Sequence, residues 1–420
     1  MDRYEVIFKK QCSKKFINKL LGKLNNCIFL KEVNIAYGFL TNEEYIKIEK
    51  LFSKYIYIHP LKSIKIESRS KITIKLDDLR QLKTDLMNKQ WDIKKVTNNR
   101  KSYYLHSITN NISIGIIDSG LDTSHIDLYP SMLKGSKNFV TDEVNDIYDY
   151  NGHGTAVAGQ IAANGVIKGV APGIGFRVYK VFDNKFSNVE WVIRAIIAAV
   201  NDKNNIINLS VGQYLNMNKE SQLFLSYKRA IKYAYDNNVI IVTSLGNDGI
   251  DLSKQKELKG FMSKKINKYF DNDDFIVDCP NYFETVVSVG SIDSLDNLTH
   301  YSNYNYYDKK LFLSYGGDDK TIIDKGVDFF MKNQLFTEDW VISTNSNNGY
   351  FYFYGNSFAT PKVAATIALI IDKYKIYNNP NLAIYHLIAT STPHPYGLII
   401  STYSSLAPKK LIQRSNFQNE

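Results

Sequence analysis

The chain has 420 residues and a hydrophobic fraction of 44 %, enough for one large α/β domain with a smaller companion and too much for wholesale disorder. Its net charge of +10 is lopsided, with 23 Lys/Arg against 11 Asp/Glu in residues 1–105 and 29 against 31 in the rest. Three widely spaced cysteines (Cys12, Cys27 and Cys279) form no CxxC pair, which argues against a disulfide framework and a zinc site.

The basic N-terminal segment could contact nucleic acid or a membrane surface. A lysine-rich solvated face is the simpler reading, because no zinc-finger spacing or basic–aromatic motif accompanies it. No apolar run reaches the roughly 18 residues of a membrane span, and the first two dozen residues lack the apolar core of a secretory signal. The expectation is a cytoplasmic protein without nucleic-acid or membrane partners.

In chain order, residues 4–10 alternate like a strand, and 13–24 place Phe16, Leu20, Leu21 and Leu24 on one helical face. Residues 26–40 supply two β segments. Thr41 then caps a helix, with Glu44 completing a capping box, and 55–66 returns as a strand. The order βαββαβ predicts a small ferredoxin-like α+β module. A helix-like stretch around Leu79–Met87 and a polar linker, VTNNRKS, follow, and the domain boundary is placed between residues 88 and 89, giving units 1–88 and 89–420. From residue 111 onward, apolar runs (ISIGII, GFRVYKVF, IINLSV, VIIVTSL, TVVSVGSI) alternate with helical segments such as 188–201 and 222–236. That alternation predicts a doubly wound, mostly parallel sheet with helices on both faces. Two hydrophilic stretches, 250–277 and 303–350, read as surface insertions.

Three motifs carry chemistry. Asp118-Ser119-Gly120 ends the ISIGII strand, on the edge where open α/β sheets hold their sites. His153 stands between Gly152 and Gly154 at a helix start, and Ser357 precedes Ala359-Thr360-Pro361 at another. Pro361 reads as a first-turn proline, which puts Ser357 beside the N–H groups and positive dipole end of a helix, suited to an oxyanion. Each residue alone has a plainer reading: a turn-capping Asp, a structural His, an N-cap Ser.

The order Asp…His…Ser, each in its glycine-flanked setting, resembles the subtilase family of serine proteases over roughly residues 90–400. GVAPG (169–173), INLSVG (207–212) and Leu245-Gly246-Asn247-Asp248-Gly249 extend the resemblance. It implies a catalytic Asp118, His153 and Ser357, an oxyanion-binding Asn247, and a substrate-pairing edge at Ser210, Val211 and Gly212. The family's Thr and Met beside the nucleophile are here Asn356 and Phe358. Cys279-Pro280 matches the step that walls the primary specificity pocket, which would place Asp278 at its base and Asp248 at its rim, favouring cleavage after Arg or Lys. No cofactor is required. A structural calcium is raised by Asp127 and Gln90, but NGVIK (164–168) lacks acidic ligands, so no metal is assigned.

The N-terminal module resembles a subtilase prodomain, with its end at about residues 62–90 running to the active site and cut in maturation of a zymogen. QWDIKKVT (90–97) and IGIIDSGLDTSHIDL are similar to leader peptidases of lantibiotic clusters, which implies a modified lantibiotic precursor as peptide substrate. The alternatives are a general intracellular subtilisin-like protease and, more remotely, a non-catalytic binding protein on a protease scaffold.

Overall fold

A computed structural model describes residues 1–61, 63–65, 86–140, 146–183, 186–266, 269–305 and 311–412. The N-terminal module runs β1 (Asp2–Phe8), α1 (Lys14–Leu21), β2 (Asn25–Leu30), β3 (Ile35–Leu40), α2 (Asn42–Phe52) and β4 (Ile56–Pro60). Its strands lie in the order β2-β3-β1-β4, every neighbour antiparallel, which is the ferredoxin-like arrangement. Thr41 and Glu44 form the expected capping box at α2, each side chain accepting a hydrogen bond from the other's backbone N–H. The expected strand 55–66 is shorter: β4 stops at Pro60, and β5 (Ser63–Lys65) pairs elsewhere. Most of the helix expected around Leu79–Met87 lies outside the described residues; α3 (Leu86–Lys89) contains its end.

Leu86 is fully buried in the large core, and α4 (Trp91–Val96) follows with Asp92, Ile93 and Val96 equally buried. The expected polar linker is docked chain. Asn98, Asn99 and Arg100 take consecutive left-handed conformations, which asparagine tolerates better than most residues. Thr97 and Ser102 on either side are buried.

The large sheet is built from β6 (Ser113–Asp118), β7 (Lys137–Asn138), β8 (Gly175–Lys180), β10 (Ile206–Leu209), β12 (Ile240–Ser244), β14 (Val286–Ile292), β15 (Phe312–Tyr315), β18 (Thr392–His394) and β19 (Gly397–Ile399). Their order is β18-β19-β15-β14-β12-β10-β6-β8-β7, parallel except for the edge pair β18–β19. The chain leaves β6 toward β8 and comes back to β10 on the other side. The two connections diverge there, opening a crevice at the carboxyl ends of β6 and β10. Outside this sheet, β9 (Phe186–Asn188) pairs with β5, β11 (Gln213–Asn216) with β13 (Ile276–Cys279), and β16 (Val341–Asn345) with β17 (Gly349–Phe353), all antiparallel.

Helices α5 (His153–Ala162), α6 (Val189–Asn201), α7 (Ser221–Asp236) and α8 (Gln255–Ile266) precede three short ones, α9 (Lys320–Lys325), α10 (Val327–Lys332) and α11 (Phe336–Asp339). Then come α12 (Asn356–Tyr374), α13 (Asn381–Thr390) and α14 (Thr402–Leu406). Helix α12 is buried along most of its length, from Phe358 to Asp372, as a helix sandwiched between sheet and helices must be. Among the described residues no helix is long and apolar enough to cross a membrane.

The stretch 303–350 is not a surface insertion throughout. LFLSY (311–315) is fully buried and holds β15, an interior strand of the large sheet, and Phe330, Trp340 and Ile342 join the core. Flanking Tyr, Asp and Lys dilute the average polarity and hide a five-residue apolar run. The N-terminal sheet docks on α6 and α7, where Ile7, Val33, Ile35 and Tyr37 share one cluster with Ile196, Val200 and Tyr227. Arg3 pairs with the buried Glu190, and Arg229 donates to the carbonyls of Phe8, Val33 and Asn34.

Candidate active site

Asp118 closes β6 at the crevice and is almost wholly buried, at 1 % exposure. Its Oδ1 lies 2.7 Å from Nδ1 of His153, the first residue of α5. The turn that delivers His153 is clamped by Asp149, fully buried, which accepts from Ser119 Oγ, from the N–H groups of Asn151, Gly152 and Thr155, and from the Thr155 hydroxyl. A carboxylate among the free N–H groups of a helix start also meets its positive dipole end. The two glycines around His153 are needed for space: Gly152 has φ of +87°, and a Cβ on Gly154 would stand 2.3 Å from the Gly120 carbonyl oxygen.

The neighbours of Ser357 on either side reach His153 and Asn247. On one side the Phe358 ring packs 5.4 Å from the His153 ring and stacks on Phe353. On the other, the Asn356 N–H donates to Asn247 Oδ1 at 2.9 Å. Asn356 and Phe358 are buried while Ser357 is partly exposed, so the hydroxyl is the accessible group of this turn. With Oδ1 of Asn247 the acceptor in that bond, Nδ2 is the donor end of the amide. The loop carrying Asn247 is pinned by the buried Asn303, which donates to the Leu245 carbonyl and accepts from the N–H groups of Asp248 and Ile250.

Pro361 departs from expectation. Helix α12 begins at Asn356, so Ser357 lies within the first turn and Pro361 one turn further in, where its missing N–H leaves the Ser357 carbonyl without the usual i+4 donor. Five residues beyond the serine, Lys362 and Asp92 of α4 form an ion pair of 2.8 Å with both side chains fully buried. Burial lowers the lysine pKa, and Asp92 opposes that shift.

Ser210, Val211 and Gly212 lie between β10 and β11 and outside both ladders, leaving an edge on which an extended peptide could lie. Asp278 on β13 pairs in register with Tyr214, and its carboxylate reaches toward Gly212, with Asn281 donating to Oδ2 at 2.8 Å. Asp248 has partners of its own: Tyr214 donates to it at 2.6 Å, and Lys265 of α8 comes within 3.4 Å. Helix α8 lies in the expected insertion 250–277 and brings this cation to Asp248.

The residues raised for calcium are engaged by the protein's own donors. Asp127 accepts from the N–H groups of Val166 and Ile167 and from Tyr350 OH. Gln90 exchanges a reciprocal pair of hydrogen bonds with the Lys168 backbone, and the Lys168 ammonium donates to Asn164 Oδ1. Every ligand-like oxygen here already faces an N–H or O–H donor. Sequence reasoning missed Asp149, Asn303 and the Asp92–Lys362 pair. Asp149, four residues ahead of a helix-starting histidine, was the one with a local signal.

A family model for the subtilases, Peptidase_S8, matches residues 109–413, well over half of the chain. The chain belongs to the subtilase family. Among curated subtilases, the nisin leader peptide-processing serine protease of Lactococcus lactis subsp. lactis is 39 % identical over 349 residues, covering 77 % of this chain and 50 % of that protein. The chain thus spans half the length of that relative. The epidermin leader peptide-processing serine protease of Staphylococcus epidermidis is 37 % identical over 320 residues, 71 % of this chain and 68 % of that protein. The crystal structure of the epidermin enzyme from Staphylococcus aureus superposes with a TM-score of 0.84 at 32 % identity, covering 97 % of this chain and 99 % of that one. That of the nisin leader peptidase gives 0.74 at 38 % identity, over 78 % and 96 %.

Proposed function

We propose that the chain is a serine endopeptidase that removes the leader of a lantibiotic precursor peptide. The observation that carries the chemistry is the 2.7 Å His153–Asp118 contact, with a partly exposed Ser357 whose chain neighbours Phe358 and Asn356 touch His153 and Asn247. In this reading His153 Nε2 takes the Ser357 proton as Oγ attacks the scissile carbonyl, and Asp118 holds the tautomer and stabilises the imidazolium. Asn247 Nδ2 and the Ser357 N–H bind the oxyanion. The imidazolium then protonates the leaving amine, and water, deprotonated by the same histidine, releases the acyl group. The substrate class rests on relatives named for processing nisin and epidermin leaders. The test is mass spectrometry of a lanthionine-bridged precursor incubated with the protein, with a serine-directed sulfonyl fluoride as control. A single cut at the leader junction, blocked when the reagent's adduct maps to Ser357, is expected. Cutting of unstructured peptides with the precursor left intact would favour a general intracellular protease, a reading supported by 40 % identity over 156 residues to the major intracellular serine protease of Bacillus subtilis.

Cleavage after Arg or Lys is part of the proposal and rests on Asp278. Burial, reinforced by the charge of Asp248 and opposed by Asn281, pushes its carboxyl up to about 8. The raised value means a neutral group below that pH and an anion above it. The preference for Arg over Leu peptides, read as a ratio of kcat/KM, should therefore climb between about pH 6 and pH 9. Asp278→Asn should flatten the climb; a variant that kept it would remove Asp278 from the pocket.

The N-terminal module is assigned as a prodomain on its docking to α6 and α7. The proposed compartment is the cytoplasm, on three cysteines that are all free thiols.

A further inference from the structure

The residue before the nucleophile, where the subtilase pattern has threonine, is the buried Asn356. Its backbone N–H holds Asn247 Oδ1, and its side-chain Nδ2 donates to the carbonyl of Gly246, the residue preceding Asn247. One residue thus grips the oxyanion loop at two consecutive positions, from the nucleophile's own helix. Asn303 grips the same loop from the other side, at Leu245, Asp248 and Ile250. Between these two clamps the Asn247 amide has little freedom to turn.

The Oδ1 of Asn356 is buried and has no hydrogen-bond partner among the described residues. An amide half-satisfied in the interior costs stability, so a residue with no such oxygen would suit the fold better. Sites that break a local rule at a cost are where function is to be sought. We infer that Asn356 is a positioning residue for oxyanion binding, its side chain fixing the Gly246–Asn247 peptide so that Asn247 Nδ2 meets the oxyanion as it forms.

Asn356 acts through Asn247, so its effect must vanish when Asn247 is gone. The experiment measures kcat and KM on an Arg-containing fluorogenic peptide for wild type, Asn356→Ala, Asn356→Asp, Asn247→Ala and the Asn247→Ala/Asn356→Ala double variant. Thermal melts confirm that each is folded. A lost oxyanion donor lowers kcat about 10²–10³-fold, so a donor present but loosened should lose about 10-fold, with KM unchanged. Asn356→Asp keeps the shape but sets an acceptor against the Gly246 carbonyl, and should lose at least as much. In the Asn247→Ala background the alanine at 356 should change kcat by less than about twofold.

A wild-type kcat for Asn356→Ala, a loss confined to KM, or the same loss with and without Asn247 would each overturn the inference. If Asn356→Ala does not fold, the isosteric aspartate carries the test; failure of both to fold would make Asn356 a structural residue only. The inference rests on the serine-endopeptidase reading. Inactive wild type would sink that reading, whereas active wild type with an indifferent Asn356→Ala sinks this one alone.

Discussion

Ser357→Ala should lower kcat by about 10⁶ with little change in KM for a peptide substrate. That magnitude was measured on subtilisin itself and is carried over to a chain 26 % identical to subtilisin E over 273 residues. The direction follows from the geometry. The hydroxyl is the accessible group of a turn whose neighbours are buried against His153 and Asn247, so no nearby side chain can replace it. Peptide-binding features such as the 210–212 edge and Asp278 are left in place, which is why KM should hold. His153→Ala should fall by a similar factor, and the double variant scarcely further, because nucleophile and base act as one unit. Additive losses, each multiplying the other, would mean that Ser357 and His153 do not share a step. Progress curves on a chromogenic peptide, with active sites titrated, decide it.

The second large effect is on stability. Asp92→Ala should destabilise the protein by about 3–5 kcal/mol, because it strands the fully buried Lys362 ammonium. Set against a typical total of about 5–15 kcal/mol, that is about a fifth of the fold or more. The lysine also donates to the Phe358 carbonyl in the turn next to Ser357. Loosening it should therefore disturb the nucleophile turn as well, and activity should be lost below the melting temperature. Asp92→Ala/Lys362→Met, which removes both charges and fills the space, should recover most of the stability. Urea unfolding of the single and double variants checks this; equal losses in both would mean that packing volume, and not the stranded charge, is the cause.

The parts of this protein that were legible in the sequence are those written in local patterns. Strands β6, β10 and β12 are short β-branched runs, Thr41 and Glu44 spell a capping box three residues apart, and the triad residues announce themselves by flanking glycines. What was not legible depends on partners far along the chain. Asp92 finds Lys362 across most of the catalytic domain, Asn303 reaches back to Leu245, and Lys265 sits over Asp248 because of how an inserted helix folds. Nothing in the spacing of such pairs marks them. The stretch LFLSY is hidden for a different reason: a strand of four residues is shorter than the window over which polarity must be averaged to be informative. Pro361 was misread because the first helical residue could not be located from sequence to better than a few positions.

The docking of the first sheet on α6 and α7 also sets an order in time. All its ladders close within the first 60 residues, whereas β6 must wait for β10, with Ile114 pairing to Ile206, and the sheet is not complete until β18 and β19. At synthesis rates of about 5–20 residues per second, the last strand leaves the ribosome roughly 20–70 s after the first sheet. The small module is therefore available as a folded surface while the parallel strands, slow to pair across long loops, are still being made. Helices α6 and α7 are the connections from β8 to β10 and from β10 to β12, so capturing them early brings the middle strands of the large sheet together before its β18–β19 edge exists.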